Sequence, residues 1–130
     1  MKKQLSLAKL KAKCQLVFNE YIRLRDKDMP CISCGQTKPY KQAGHFYSVK
    51  MYDGLRFNED NCHGECPGCN GFDDMHLLKY KDNLIERIGY MKFKILTYKA
   101  EDYKKNGYRW SRSEILELTE HYKQKIKELK

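Results

Sequence analysis

The chain has 130 residues, six cysteines and a formal net charge of +9, a length that suits one domain with a single small core. No run is apolar enough to span a membrane, and Met1-Lys2-Lys3 is not followed by the apolar stretch of a secretion signal, so the expected setting is soluble and cytoplasmic, without a membrane partner. The charge is unevenly placed, +6 over residues 1–27, −3 over 28–78 and +6 over 79–130; basic flanks around an acidic middle suit a polyanion, or on the plainer reading are solvated helix faces.

Taken in chain order, Leu7, Leu10, Cys14, Val17, Phe18, Tyr21 and Ile22 recur at three and four residues. This predicts an amphipathic helix over residues 5–26, with Lys9, Lys11 and Lys13 among the cations of its polar face. Cys14 sits on the apolar face as an ordinary buried thiol. Met29-Pro30 stops the helix, and Cys31 to Gly35 reads as a tight metal-binding turn.

Residues 43–49 are expected to form a short strand with His45 near its start, and 50–54 a turn. Arg56 follows in an apolar stretch. Asn61 and His63 are two apart, so in an extended segment they share a side. Cys66 and Cys69 close the region. A helix from Asn70 or Asp73 to about Gly89 completes a ββα unit. Met91 predicts a second short helix to Tyr98, and residues 100–109 read as a polar Lys/Tyr-rich connection with Asn106-Gly107 as a turn. Ser111 and Glu114 form a capping box. The helix it opens aligns Ile115, Leu118, Tyr122, Ile126 and Leu129, a stripe for the chain's own core or for a homodimer seam. The tyrosines suit either base stacking or the boundary of a small core.

Two Cys-x-x-Cys pairs, Cys31/Cys34 and Cys66/Cys69, are separated by 31 residues. Four thiolates in two turns suit a closed tetrahedral Zn2+ site better than a disulfide framework. A structural zinc accounts for the cysteines but not for Gly44-His45, Asn61, His63 and Asn70 around the pinned loop. Phosphodiester hydrolysis needs a base for water, a cation on the phosphate and a group that orients the base. His45 can be the base, Asn61 can orient it or support the loop, and His63 and Asn70 can hold Mg2+ or Mn2+. Arg56 and the flanking lysines can contact phosphates. The alternative is a non-catalytic zinc-containing nucleic-acid-binding module in which the histidines are incidental.

The arrangement resembles the zinc-containing HNH (His-Me finger) nucleases. These pair a Cys-x-x-Cys, a first-strand histidine, an asparagine before a second Cys-x-x-Cys, and a His or Asn straight after it. More narrowly, Tyr21-Ile22-Arg23, Arg25-Asp26-Lys27-Asp28, Pro30-Cys31-Ile32-Ser33-Cys34-Gly35, Ala43-Gly44-His45-Phe46, Leu55-Arg56-Phe57-Asn58-Glu59, Asn61-Cys62-His63 and Arg109-Trp110-Ser111 resemble the NinG/Rap family of phage recombination nucleases, over residues 14–130. The resemblance implies an α+β fold with a zinc-stapled ββα-metal (HNH-like) core. That fold would be one domain, 1–130, with an N-terminal helix (1–28), the zinc core (29–78) and a C-terminal helical part (79–130). It implies a metal-dependent endonuclease that cuts branched DNA such as Holliday junctions and D-loops, encoded by a phage or prophage and working in the bacterial host. The chain departs from the pattern at three places. Gly44 stands where many HNH enzymes carry a metal-binding aspartate, Gln42 where relatives often have Asp, and Met75-His76 where a Gly-Asn is usual. Candidates to complete the catalytic ligand set are His63, Asn70, Asp73, Asp74 and His76.

Overall fold

The computed structural model describes residues 4–70 and 74–130, and for residues 74–76 the backbone alone. It is a helical protein with one small two-stranded sheet. The order is α1 (Leu7–Arg25), β1 (Gln42–His45), β2 (Cys62–Glu65), α2 (Asp74–Ile88), α3 (Tyr90–Asn106) and α4 (Arg112–Leu129), with single 3-10 turns at Asp53–Leu55 and Glu59–Asn61.

α1 starts two residues later than its apolar spacing predicts, because the Ser6 hydroxyl accepts from the Lys9 backbone N–H at 3.2 Å and caps it, a contact that contributes about 1 kcal/mol. α4 starts where its capping box places it: the Ser111 hydroxyl accepts from the Glu114 N–H and the Glu114 carboxylate from that of Ser111. α3 is a correction. It runs through the polar stretch to Asn106 and stops at Gly107, whose φ is 74°. Phe93, Leu96, Ala100 and the half-buried Tyr103 continue a helical stripe there, and lysines between them obscured the period.

β1 is likewise shorter than expected. The ladder ends at His45, after which Tyr52 N–H donates to Ser48 O at 2.8 Å and folds the chain into a turn. β1 and β2 pair antiparallel, with Gln42 opposite Glu65, Ala43 opposite Gly64, Gly44 opposite His63 and His45 opposite Cys62. Adjacent pairs project to opposite faces.

Two apolar clusters lie either side of this hairpin. One joins α1 and α4 through Cys14, Phe18, Ile22, Ile115, Tyr122 and Ile126, with Phe57 and Cys62. The stripe of α4 therefore packs on the chain's own α1, while Leu129 stays exposed. The other cluster joins α2 and α3 through Tyr80, Leu84, Phe93, Leu96 and Ala100 to Ile32 and Leu55. Burying each large apolar side chain contributes about 1.5–3 kcal/mol, so the hairpin is clamped from both sides. Three tyrosines are core residues, Tyr21, Tyr80 and Tyr122, whereas Tyr40, Tyr90 and Tyr98 are exposed. Among the described residues, no helix is long and apolar enough to cross a membrane.

Candidate functional site

Cys31, Cys34, Cys66 and Cys69 converge, and all four sulfur atoms lie within 4.8 Å of one another. Cys34 Sγ and Cys66 Sγ are 3.9 Å apart. A tetrahedral zinc with Zn–S bonds of about 2.3 Å requires sulfurs about 3.8 Å apart, so the cluster could hold a zinc ion. The first turn is closed by Gly35 N–H donating to Cys31 O at 2.9 Å, with Gly35 at φ 72°, a conformation in which a side chain is strained. The second is closed by Cys69 and Asn70 N–H groups donating to Cys66 O at 3.0 Å. Burial opposes ionisation of Cys31, but the N–H groups of Cys34, Cys66 and Ser33 aimed at its sulfur bring its pKa down to about 7. Burial and the neighbouring thiols hold Cys69 protonated. A divalent cation relieves this crowding by stabilising all four thiolates together.

His45 stands at the end of β1. Its ring stacks on Phe18 with centroids 6.3 Å apart, and Nε2 lies 3.0 Å from the Arg56 carbonyl oxygen. A carbonyl only accepts, so Nε2 carries the proton and Nδ1 the lone pair of the neutral ring. Burial lowers the His45 pKa below its ordinary value; the Arg56 carbonyl opposes this and the Arg56 guanidinium adds to it. The ring is thus neutral at pH 7. Beside it opens a cavity of about 350 Å³ whose lining includes His45, Glu65, Cys69, Asn70 and Tyr80.

The structure separates the other sequence candidates. Asn70 shares the cavity and donates from Nδ2 to Gln42 Oε1 at 2.8 Å. Asn61 is fully buried and buckles the loop. Its Oδ1 accepts from Tyr47 N–H at 2.9 Å, and Nδ2 donates to the Tyr47 and Leu55 carbonyls at 3.0 and 3.3 Å. Its bonds go to the loop and none to the His45 ring. Nor do Asn61 and His63 share an extended segment, because Asn61 ends a 3-10 turn. His63 pairs with Gly44, one register step from His45, and so projects to the opposite face. There it is 3 % exposed, meets Tyr80 edge-on, and its Nδ1 has no hydrogen-bond partner among the described residues. Burial, then the Arg25 charge, push its pKa down to about 3.

Arg56 Nε lies 2.9 Å from Asp53 Oδ1, and Lys11 Nζ 3.0 Å from Asp53 Oδ2. These two cations are tied to one carboxylate, whereas Lys9 and Lys13 are exposed on α1. Asp73 and the side chains of Asp74 and His76 lie outside the described residues.

Two residues escaped the sequence reading. Asp26, 4 % exposed, accepts from Arg25 Nε at 2.7 Å and from the Gly64 N–H at 2.8 Å, locking the end of α1 to β2. Glu65, 5 % exposed, accepts from the Ser33 hydroxyl and lines the cavity. The available signal was a carboxylate immediately before each element boundary or metal turn, which by itself does not separate a buried acid from a solvated one.

No solved structure matches the chain. Protein ninG of Salmonella phage P22 is 38% identical over 117 residues, 89% of this chain and 55% of that protein. Protein ninG of Escherichia phage lambda is 37% identical over 117 residues with the same coverage, and that of Escherichia phage 933W is 36% identical over 117 residues, 56% of its length. The chain thus spans little more than half the length of these relatives. The family model described as "Bacteriophage Lambda NinG protein" matches residues 1–130. The chain belongs to the NinG family.

Proposed function

We propose that the chain is a metal-dependent DNA endonuclease with a ββα-metal (HNH-like) core formed by the hairpin, the zinc turns and α2. Its substrates would be branched recombination intermediates, the class implied by the resemblance to the NinG/Rap nucleases. The observation that carries this reading is the pose of His45: a strand-end imidazole, kept neutral by burial, with Nε2–H given to a main-chain carbonyl, beside an open cavity.

In this reading Nδ1 of His45 takes the proton from the attacking water, and the Arg56 carbonyl stabilises the imidazolium that forms through the Nε2–H bond. Asn61 acts on the base indirectly, by fixing the loop that presents the Arg56 carbonyl. Asn70, with its Nδ2 given to Gln42, has its carbonyl oxygen as the metal-ligand atom. A bound Mg2+ or Mn2+ would neutralise charge developing on the phosphate oxygens. The four cysteines would hold Zn2+ as a structural staple. Lys9 and Lys13 would meet phosphates directly, and Lys11 and Arg56 would do so by exchanging their ion pairs with Asp53.

The test is cleavage of linear, forked and four-way DNA with Mg2+ or Mn2+, wild type beside His45→Ala. The expected result is metal-dependent nicking, strongest on branched DNA and lost in the variant while DNA binding persists. DNA binding by wild type with no cleavage of any substrate would support the non-catalytic zinc module instead.

A further inference from the structure

The register of the hairpin places Glu65 opposite Gln42, two steps from the Gly44–His63 pair and on the same face. From there the Glu65 side chain lies over Gly44. A Cβ built on Gly44 would stand 2.9 Å from Glu65 Cβ and collide with Glu65 Oε1. Glycine at 44 is thus the condition for the carboxylate to occupy this volume. The volume is the one that a side chain rooted immediately before His45 would fill. Glu65 is 5 % exposed and lines the same cavity as His45 and Asn70. Its Oε2 accepts from Ser33, which lies inside the first Cys-x-x-Cys turn. The first Cys-x-x-Cys turn therefore helps to hold this carboxylate.

We infer that Glu65 is the carboxylate ligand of a hard divalent cation in the His45 cavity, with the Asn70 carbonyl as its neighbour. This deepens the hydrolytic reading and rests on it. The donor set divides by hardness. Four sulfurs suit zinc, whereas a carboxylate and an amide oxygen with room for waters and a phosphate oxygen suit Mg2+ or Mn2+. Burial strengthens the attraction of the carboxylate for a cation, because its surroundings screen charge less than water does. A cation beside the neutral His45 keeps that imidazole unprotonated. Ser33 serves as a positioning residue that orients the ligand.

The experiment uses zinc-loaded full chain without DNA and follows Mn2+ by electron paramagnetic resonance. Wild type should bind one Mn2+ beyond its zinc. Glu65→Gln should weaken that binding on the order of 10–100-fold, with zinc content and circular dichroism unchanged. In a Glu65→Gly/Gly44→Asp protein the carboxylate is moved across the strand pair into the space vacated by residue 65, and Mn2+ binding should return. Wild-type affinity in Glu65→Gln overturns the assignment. So does a Glu65→Gln protein that loses zinc and Mn2+ together while a folded double variant binds no Mn2+. The two readings fail separately: Mn2+ bound through Glu65 without cleavage retains the cation site and removes the nuclease, whereas His45-dependent cleavage with unchanged Mn2+ affinity in Glu65→Gln does the reverse.

Discussion

The two faces of the β1–β2 hairpin carry one histidine each, and the surroundings differ in kind. His45 has a main-chain carbonyl on Nε2, an aromatic ring beneath it and a cavity in front. His63, one register step away, is enclosed by Tyr80 and the Arg25–Asp26 pair, with a buried Nδ1 that has no hydrogen-bond partner among the described residues. Both rings are held neutral by burial. Only His45 has its proton placed by a partner and lines the cavity, which also takes in Glu65 from the other face. Strand parity, not residue type, thus sorts a candidate base from a core residue: shifting the pairing by one would put both rings on the same face.

The largest effect expected from breaking this arrangement is at the staple that holds both faces. Cys66→Ser/Cys69→Ser should abolish tight zinc binding and unfold the hairpin, since structural zinc contributes apparent binding energies of about 10–16 kcal/mol. Metal analysis and near-UV circular dichroism check this, with Cys14→Ser as the variant that keeps its zinc. Full zinc in the double serine protein would remove the cluster from the account.

His45→Ala should lower cleavage on the order of 10²–10⁴-fold with stability and zinc little changed. His63→Ala should instead lower stability by about 2–3 kcal/mol, the cost of a buried cavity, while the folded fraction keeps most of its rate. Single-turnover rates set beside denaturation midpoints measure both. A catalytic loss confined to His63→Ala would reverse the assignment of the two faces.

The two rings also predict two different pH dependences. His45 has its pKa lowered, so as the proposed general base it protonates only below pH 6.5, and the acid limb of the cleavage profile should lie below that value. For His63 the folded pKa of about 3 lies below the unfolded 6.5. The unfolded chain therefore takes up the proton first, and stability falls as pH drops through that window, by roughly 2–3 kcal/mol near pH 4.5. Asp26, whose carboxyl Arg25 holds below its ordinary range against the cost of burial, adds to the same acid loss. Cleavage and melting followed over pH 4–8 should therefore decline with separate midpoints, and coincident midpoints would mean that unfolding alone limits activity.

The smallest effect concerns the basic face of α1. Lys9→Gln with Lys13→Gln should lower the slope of log K against log salt by about 0.9 for each phosphate that a lysine no longer neutralises. Lys11→Gln should do less, because Lys11 already pairs with Asp53. Slopes equal to that of wild type in both proteins would make α1 a brace between the hairpin and α4.

Features written in local spacing were legible from the residues alone. The doubled Cys-x-x-Cys is a property of two short turns, the period of α1 is a property of one face, and the Ser111–Glu114 box is a property of four residues. None depends on where the rest of the chain goes, so each was readable, as was His45 on a first strand. Local spacing failed where burial came from distant partners. α3 looked polar because Phe93, Leu96 and Ala100 are interleaved with lysines, and only α2 and the loop at Leu55 reveal that stripe as core. Asn61 and His63 read alike in sequence. A 3-10 turn makes one a loop buckle, and strand parity makes the other a buried neutral ring. The same holds for Glu65 and Gly44. Far apart along the chain, they become neighbours only through the hairpin register, and a glycine that reads in sequence as a missing ligand becomes the space that a carboxylate from the other strand occupies. Sequence determined which side chains were present at short range; tertiary pairing decided which face each one joined, because burial, and with it charge state and reach, is set by what packs on the other side.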